Sequence, residues 1–295
     1  MKKLDECYEE FLNEKKCYCE ERTIEYYQDN LKGFIEYVAH RELDKQIYID
    51  YVCHLRNKGI KNTSIRTYCR AVKVFCRWLC DNKYLTDDIT YRVKLPREDA
   101  EIVKPLSQYE VMLIDDIFNS NYFLDVRNRI IIHLMLDCGL RLSEVLNIKN
   151  NDIDLDDKIL YINNSKFNKS RAVPLPEFLV NDIIMYYRKR VGMRVICFDS
   201  DNFILKSDGK PITKDTIKCI FRRIKRYKGL ERVHPHLLRH TFATAYIMQN
   251  GNLEKLRILL GHSDYNVTRN YLDISAQQLL LHYDIYKLDK VYLEG

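Results

Sequence analysis

No run of apolar residues in this chain approaches the ~20 needed to cross a bilayer, and no two cysteines stand in the C-x-x-C spacing of a zinc or redox pair. A membrane span and a cysteine-built metal centre are therefore not expected. The opening "MKKLDECYEE" has two lysines but no apolar stretch behind them, so no secretory signal is expected and the chain is assigned to the cytoplasm. Internal repeats and low-complexity tracts are absent as well. What remains is an ordinary folded composition, 46% hydrophobic and 31% charged, over 295 residues, a length that suits two domains. The 10 cysteines are scattered and read as small core residues rather than disulfide partners. Cys69, Cys76 and Cys80 fall in one helical segment.

Acidic residues are missing altogether from one stretch. Residues 51–80, "YVCHLRNKGIKNTSIRTYCRAVKVFCRWLC", hold seven Lys or Arg and no Asp or Glu, although the net charge of the whole chain is only +6. A second block, 214–239, holds nine bases against two acids. Such segregation favours a polyanionic partner. In the first block Thr63 and Ser64 offer N-cap hydroxyls, and Ile65, Tyr68, Cys69, Val72, Phe75, Cys76 and Leu79 recur at the spacing of a buried helical face. On the opposite side Arg66, Arg70, Lys73 and Arg77 form a basic stripe roughly 16 Å long, suited to phosphates along a groove. In the second block Lys218, Arg222, Arg223 and Lys225 are the corresponding candidates for DNA or RNA contact.

Helical periodicity before residue 86 predicts four helices, near 3–20, 23–40, 44–57 and 63–80, hence a small all-α domain over residues 1–97. Pro96 and Pro105 bracket a charged polar stretch that reads as an interdomain connector at 98–104. The second domain, 105–295, opens with helices in "SQYEVMLIDDIFN" and "LDVRNRIIIHLMLDCGLRLSEVLNI", the latter interrupted at Gly139 so that Arg141 stands at a helix-turn-helix junction and Ser143 and Glu144 begin the next helix. Three short strand-like runs follow, "DIDLDD", "KILYIN" and "RAVPL", with Lys166 in the loop between the last two. The remainder reads as helical, with Gly251 and Gly261 as C-caps. The fold class is thus mainly α, with an N-terminal helical bundle and an α-rich second domain that carries a small three-stranded antiparallel sheet.

The stretch "HPHLLRHTFATAYIMQNG" crowds His234, His236, Arg239 and His240 at the start of an apolar helix. His236 and His240 stand four apart, as zinc-binding pairs do, but the glutamate of that motif is missing and a guanidinium lies between them. No metal is expected. A phosphate pocket suits the residues better, since Arg239 offers a rigid fork of donors and His236 can exchange a proton near neutral pH. His240 is expected to bond a neighbour, and His234 to be exposed.

This H-x-x-R pair resembles that of the tyrosine recombinases, the family of phage integrases and Xer proteins. "CGLRLSEVLNI" is similar to the family's first box, "HPHLLRHTFAT" to its second, "NSKFNKSRAVPL" to its lysine hairpin, and "LLGHSDYNVTRNYLDI" places Tyr271 nine residues after His262. The resemblance implies a core-binding domain followed by a catalytic domain, and a catalytic set of Arg141, Lys166, His236, Arg239, His262 and Tyr271, supported by Glu144 and His240. The spacing to Arg171 and Pro174 selects Lys166 over Lys169. Implied with it are a 3'-phosphotyrosyl intermediate, no cofactor, double-stranded DNA bearing paired inverted-repeat core sites, and a homotetramer on synapsed DNA that is a monomer or weak oligomer when free. The apolar residues Leu279, Leu280, Tyr283, Tyr286 and Leu288 then dock on a neighbouring protomer. Two other readings stay open on the residues themselves: a DNA-binding regulator that does not cut, and a monomeric relaxing enzyme of the type IB topoisomerase kind.

Overall fold

The computed structural model describes residues 3–39, 41–97, 103–164, 169–192, 200–227 and 229–262. The chain divides into two compact units, residues 1–101 and 102–295. Lys166, Tyr271 and the apolar segment that follows Tyr271 lie outside the described residues.

The first unit consists of four amphipathic helices, α1 (Leu4–Lys16), α2 (Glu21–Val38), α3 (Lys45–Asn57) and α4 (Asn62–Asp81). Their apolar stripes meet in a core rich in aromatic rings, with Phe11, Leu31, Phe34 and Phe75 all fully buried. Phe11 meets Phe75 and Trp78 edge-on at centroid distances of 5.3 and 5.6 Å, the arrangement the ring quadrupoles favour. The polar tips reach out to carboxylates: Trp78 Nε1 donates to Glu14 at 2.6 Å and the Tyr84 hydroxyl to Glu10 at 3.0 Å. Helix α4 begins one to two residues earlier than its hydroxyls suggest. Lys61 takes the cap position with extended ψ, so Thr63 and Ser64 lie inside the first turn, and the Thr67 hydroxyl bonds back to the Thr63 carbonyl. The cysteines also depart from expectation. Cys7, Cys69, Cys76 and Cys138 are buried, but Cys17, in the turn after α1, is exposed, and so are Cys53 and Cys219, whose helical phase and not residue type decides their side.

The second unit is organised around α6 (Phe123–Leu136), almost every residue of which from Val126 onward is buried. A helix buried on nearly every side is central, its polar Arg127, Asn128 and His133 included, and α8 (Glu177–Gly192) and α10 (Pro235–Met248) pack against it. Before it comes α5 (Gln108–Ile117), started by a reciprocal capping box between Ser107 and Glu110. After it come the short α7 (Leu142–Asn147) and a three-stranded antiparallel sheet of β1 (Ile153–Asp154), β2 (Ile159–Asn164) and β3 (Lys169–Pro174), in that order. Leu160 pairs with Val173 and Ile162 with Arg171, and all four are buried while Tyr161 and Ala172 face outward. The alternation of the strand therefore turns Arg171 inward.

Two helices remain, α9 (Lys214–Ile224) and α11 (Leu253–Leu260). The span from α8 to α9 is not helical as expected: residues 200–213 form isolated bridges, Lys149 with Asn202 and Leu205 with Pro211, around an Asp208-Gly209 turn in which Gly209 has φ 79°. Gly261 ends α11 in the left-handed conformation, φ 62°, whereas at the end of α10 that conformation belongs to Asn250, φ 59°, and not to Gly251. Among the described residues no helix is long and apolar enough to cross a membrane.

Candidate active site

Four segments of the second unit converge on one buried carboxylate, Glu144. At the end of α6 the chain turns through Gly139, whose φ of 66° and tight surroundings admit no side chain: an added Cβ would stand 2.5 Å from the Phe242 ring. The turn delivers Arg141 to the cap position of α7, where its backbone N–H donates to Glu144 Oε2 at 2.7 Å and satisfies an otherwise orphaned helix-start donor. The guanidinium of Arg141 curls over the same carboxylate, with Nη1 3.1 Å from Oε1 and Nη2 donating to the Gly261 carbonyl at 3.1 Å.

Arg239 arrives from the inward face of α10, 5% exposed. It donates to the Gly139 carbonyl at 2.6 Å, across 100 residues of chain, and to the Leu260 carbonyl at 2.7 Å. Its Nη1 lies 3.8 Å from Glu144 Oε2. Nη2 also lies 3.0 Å from His262 Nε2. A guanidinium carries no acceptor, so Nε2 must accept and the imidazole proton sits on Nδ1. Burial, then the charges of Arg239, Arg141 and Arg171, push the His262 pKa down to about 4 against the opposing pull of Glu144. His262 is therefore a neutral ring with one defined tautomer at physiological pH.

A third arginine completes the cluster, and the motifs did not single it out for the site. Arg171, on β3, grips Glu144 with both Nη atoms at 2.9 and 2.8 Å and donates through Nε to the Leu259 carbonyl at 2.7 Å. The signal was present in the strand period, since "RAVPL" puts Arg171 in phase with the buried Val173 and Leu175. Burial would raise the Glu144 pKa, but the hydrogen bonds and charge of Arg171, together with the backbone N–H and charge of Arg141, hold it below the usual carboxylate value. Among the described residues three guanidiniums meet one carboxylate and a neutral imidazole, a surplus of two positive charges that suits an anion.

His236, one turn before Arg239 on α10, is exposed. His234 is also exposed and caps α10, its Nδ1 accepting from the Leu237 N–H at 3.3 Å. His240 donates from Nε2 to the Val103 carbonyl at 2.7 Å, and burial lowers its pKa. On α4, Arg70, Lys73 and Arg77 are exposed, whereas Arg66 is half-buried and donates to the Pro96 carbonyl at 3.2 Å. At α9, Lys218, Arg222 and Lys225 share one exposed face. Arg223 is exposed as well but already engaged, paired with Asp125 at 2.7 Å, donating to the Ile117 carbonyl and lying over Phe118, because its helical phase points at α5 and α6.

Residues 100–278 match the phage integrase family, and residues 6–83 match the phage integrase N-terminal SAM-like domain. The chain is 28% identical over 259 residues to tyrosine recombinase XerA of Thermococcus kodakarensis, covering 87% of this chain and 86% of that one. It is 26% identical over 292 residues to tyrosine recombinase XerC of Staphylococcus saprophyticus, covering 95% of each. The fold is similar to that of XerH site-specific recombinase bound to a palindromic difH substrate, with TM-score 0.73, 20% identity, and coverage of 90% of this chain and 80% of that one. A family match that runs through the whole arginine cluster and over more than half the chain means that this protein belongs to the phage integrase family of tyrosine recombinases.

Proposed function

We propose that the protein is a site-specific recombinase that cuts and rejoins DNA strands through a 3'-phosphotyrosyl intermediate. The observation that carries this reading is the convergence of Arg141, Arg239 and His262 on the Glu144 hub, with positive charge in surplus. Attack of a phenolate on a phosphodiester builds a pentacoordinate phosphorus bearing two negative charges. Arg141 and Arg239 clamp its nonbridging oxygens, and His262, neutral with its proton on Nδ1, serves as a hydrogen-bond donor. Tyr271 is the nucleophile. A phenol with a free pKa of about 10 is a weak one, and His236 takes its proton as general base. Lys166 gives a proton to the departing 5' oxygen. The phosphotyrosyl bond keeps the energy of the broken one, so a 5' hydroxyl from another strand reverses the step without ATP.

The partner is double-stranded DNA with paired inverted-repeat core sites, bound through Arg66, Arg70, Lys73 and Arg77 on α4 and Lys218, Arg222, Arg223 and Lys225 at α9. The active assembly is a homotetramer in which the apolar segment beyond Tyr271 docks on a neighbouring protomer. XerH, the structural relative described above, was crystallised on its DNA substrate, which supports the choice of partner.

A synthetic core site nicked near the scissile phosphate tests the reading. The protein should become covalently attached to it, undiminished in chelator, while Tyr271→Phe binds without attaching. Dependence on added magnesium would count against the scheme, and relaxation of plasmids lacking any core site would favour the relaxing enzyme.

A further inference from the structure

Arg171 has no part in the proposed reaction, yet all three of its guanidinium nitrogens are engaged within the cluster. It is 9% exposed, stands on the inward face of β3, and uses Nε, Nη1 and Nη2 on Leu259 and Glu144. Its guanidinium passes directly beneath Gly261, where an added Cβ would lie 2.8 Å from Nη1 and 3.2 Å from Cζ. One side chain thus ties three segments together: the sheet, the start of α7 through Glu144, and the Leu259–His262 turn. Those last two segments carry Arg141 and His262, and the carbonyls of Leu260 and Gly261 orient Arg239 and Arg141.

The charge arrangement points the same way. Glu144 lies within 3.1 Å of the Arg141 guanidinium and 3.8 Å of that of Arg239. A carboxylate so close would neutralise one of the two groups assigned to the phosphate, unless a third cation were dedicated to it. Arg171 supplies that cation in the bidentate geometry that is strongest between guanidinium and carboxylate. A buried carboxylate deprived of such a partner must draw another cation onto itself or take up a proton.

We propose that Arg171 is a positioning residue for strand cleavage: it takes both oxygens of Glu144 and pins the Leu259–His262 turn, so that Arg141 and Arg239 keep their charge and direction for the scissile phosphate. The proposal rests on the reading of the site as a recombinase centre and assigns this chain one further residue in it. Without Arg171 the surplus among these described groups falls from two positive charges to one, against a doubly negative transition state.

The test uses the full-length protein on the nicked core site, measuring single-turnover attachment, DNA binding and the NMR titration of His262. Arg171→Gln should attach about 10²-fold more slowly, the scale of a misdirected catalytic group, with DNA binding changed only a few-fold. Adding Glu144→Gln removes the stranded carboxylate and should restore about tenfold of the loss, an interaction of ordinary size for groups in contact. Arg171→Lys keeps the charge without the fork and should fall between wild type and Arg171→Gln; it carries the test if the Gln variant does not fold. In Arg171→Gln the His262 titration should move upward, toward that of an ordinary histidine. Attachment by Arg171→Gln at the wild-type rate, a double variant slower than the single one, or an unmoved His262 titration would each overturn the proposal. If the wild-type protein does not attach at all, the functional reading fails, and His262 still reports whether Arg171 sets the electrostatics of the cluster.

Discussion

Arg239 is distinguished by what it gives up to stay where it is: a buried guanidinium that donates to two backbone carbonyls and one imidazole, with a Glu144 oxygen 3.8 Å away. Desolvation makes such a charge costly, and its retention fits a group held ready for an anion. Arg239→Lys keeps the charge but loses the planar fork, and should slow covalent attachment by about 10²–10³-fold, the usual cost of removing one transition-state donor, with little change in DNA affinity by gel shift. His262 sets an acid limit on stability. Its folded pKa of about 4 lies below the ordinary histidine value near 6.5, so as pH falls through that interval the unfolded chain binds a proton that the folded chain refuses. Stability is therefore lost between about pH 6.5 and 4, and denaturant melts of wild type against His262→Gln should show a shallower acid slope in the variant. At this scale the motifs in the sequence name Arg141, Glu144, Arg239 and His262, which share one cluster in space. Arg171 escaped because a solitary arginine in a short strand looks like a solvated edge residue until the alternation with Val173 and Leu175 is followed.

Helices and turns place these side chains, and the turns matter most. Gly139 and Gly261 both adopt positive φ, and their carbonyls accept from Arg239 and Arg141 respectively. Gly139→Ala would combine a left-handed backbone with a Cβ 2.5 Å from Phe242, and should destabilise the fold by more than about 1 kcal/mol, the cost of the backbone conformation alone. A lowered Tm should then accompany loss of cleavage. Helix positions were readable in advance because their apolar stripes are long: α1 to α4 and α5 to α7 start or stop within a few residues of the pattern. Caps were less readable. Thr63 and Ser64 look like ideal starters, yet the buried phase of α4 is satisfied from Asn62 onward, and no hydroxyl cap is required. Residues 200–213 read as helical only by default, and the Asp208-Gly209 turn was the local clue that they are not. Arg223 shows the same limit, since membership of a basic block does not say which carboxylate or carbonyl a side chain of α9 already holds.

Across the whole molecule, the charge of +6 is modest, and its distribution in blocks is what makes a polyanion the natural partner. The two family matches together span most of the chain and account for both units. Deleting the residues beyond Ala276 should abolish cooperative assembly on paired sites while sparing binding to a single site, as read by gel shift and sedimentation. Unchanged assembly would refute docking by the apolar tail. The central claim is that the arginine cluster serves one particular phenol among 22 tyrosines. Digesting the covalent complex formed on a nicked core site and sequencing the DNA-linked peptide by mass spectrometry tests it most directly. The account predicts a 3'-phosphate ester on Tyr271; a linkage to Tyr265 or to any other residue would contradict it.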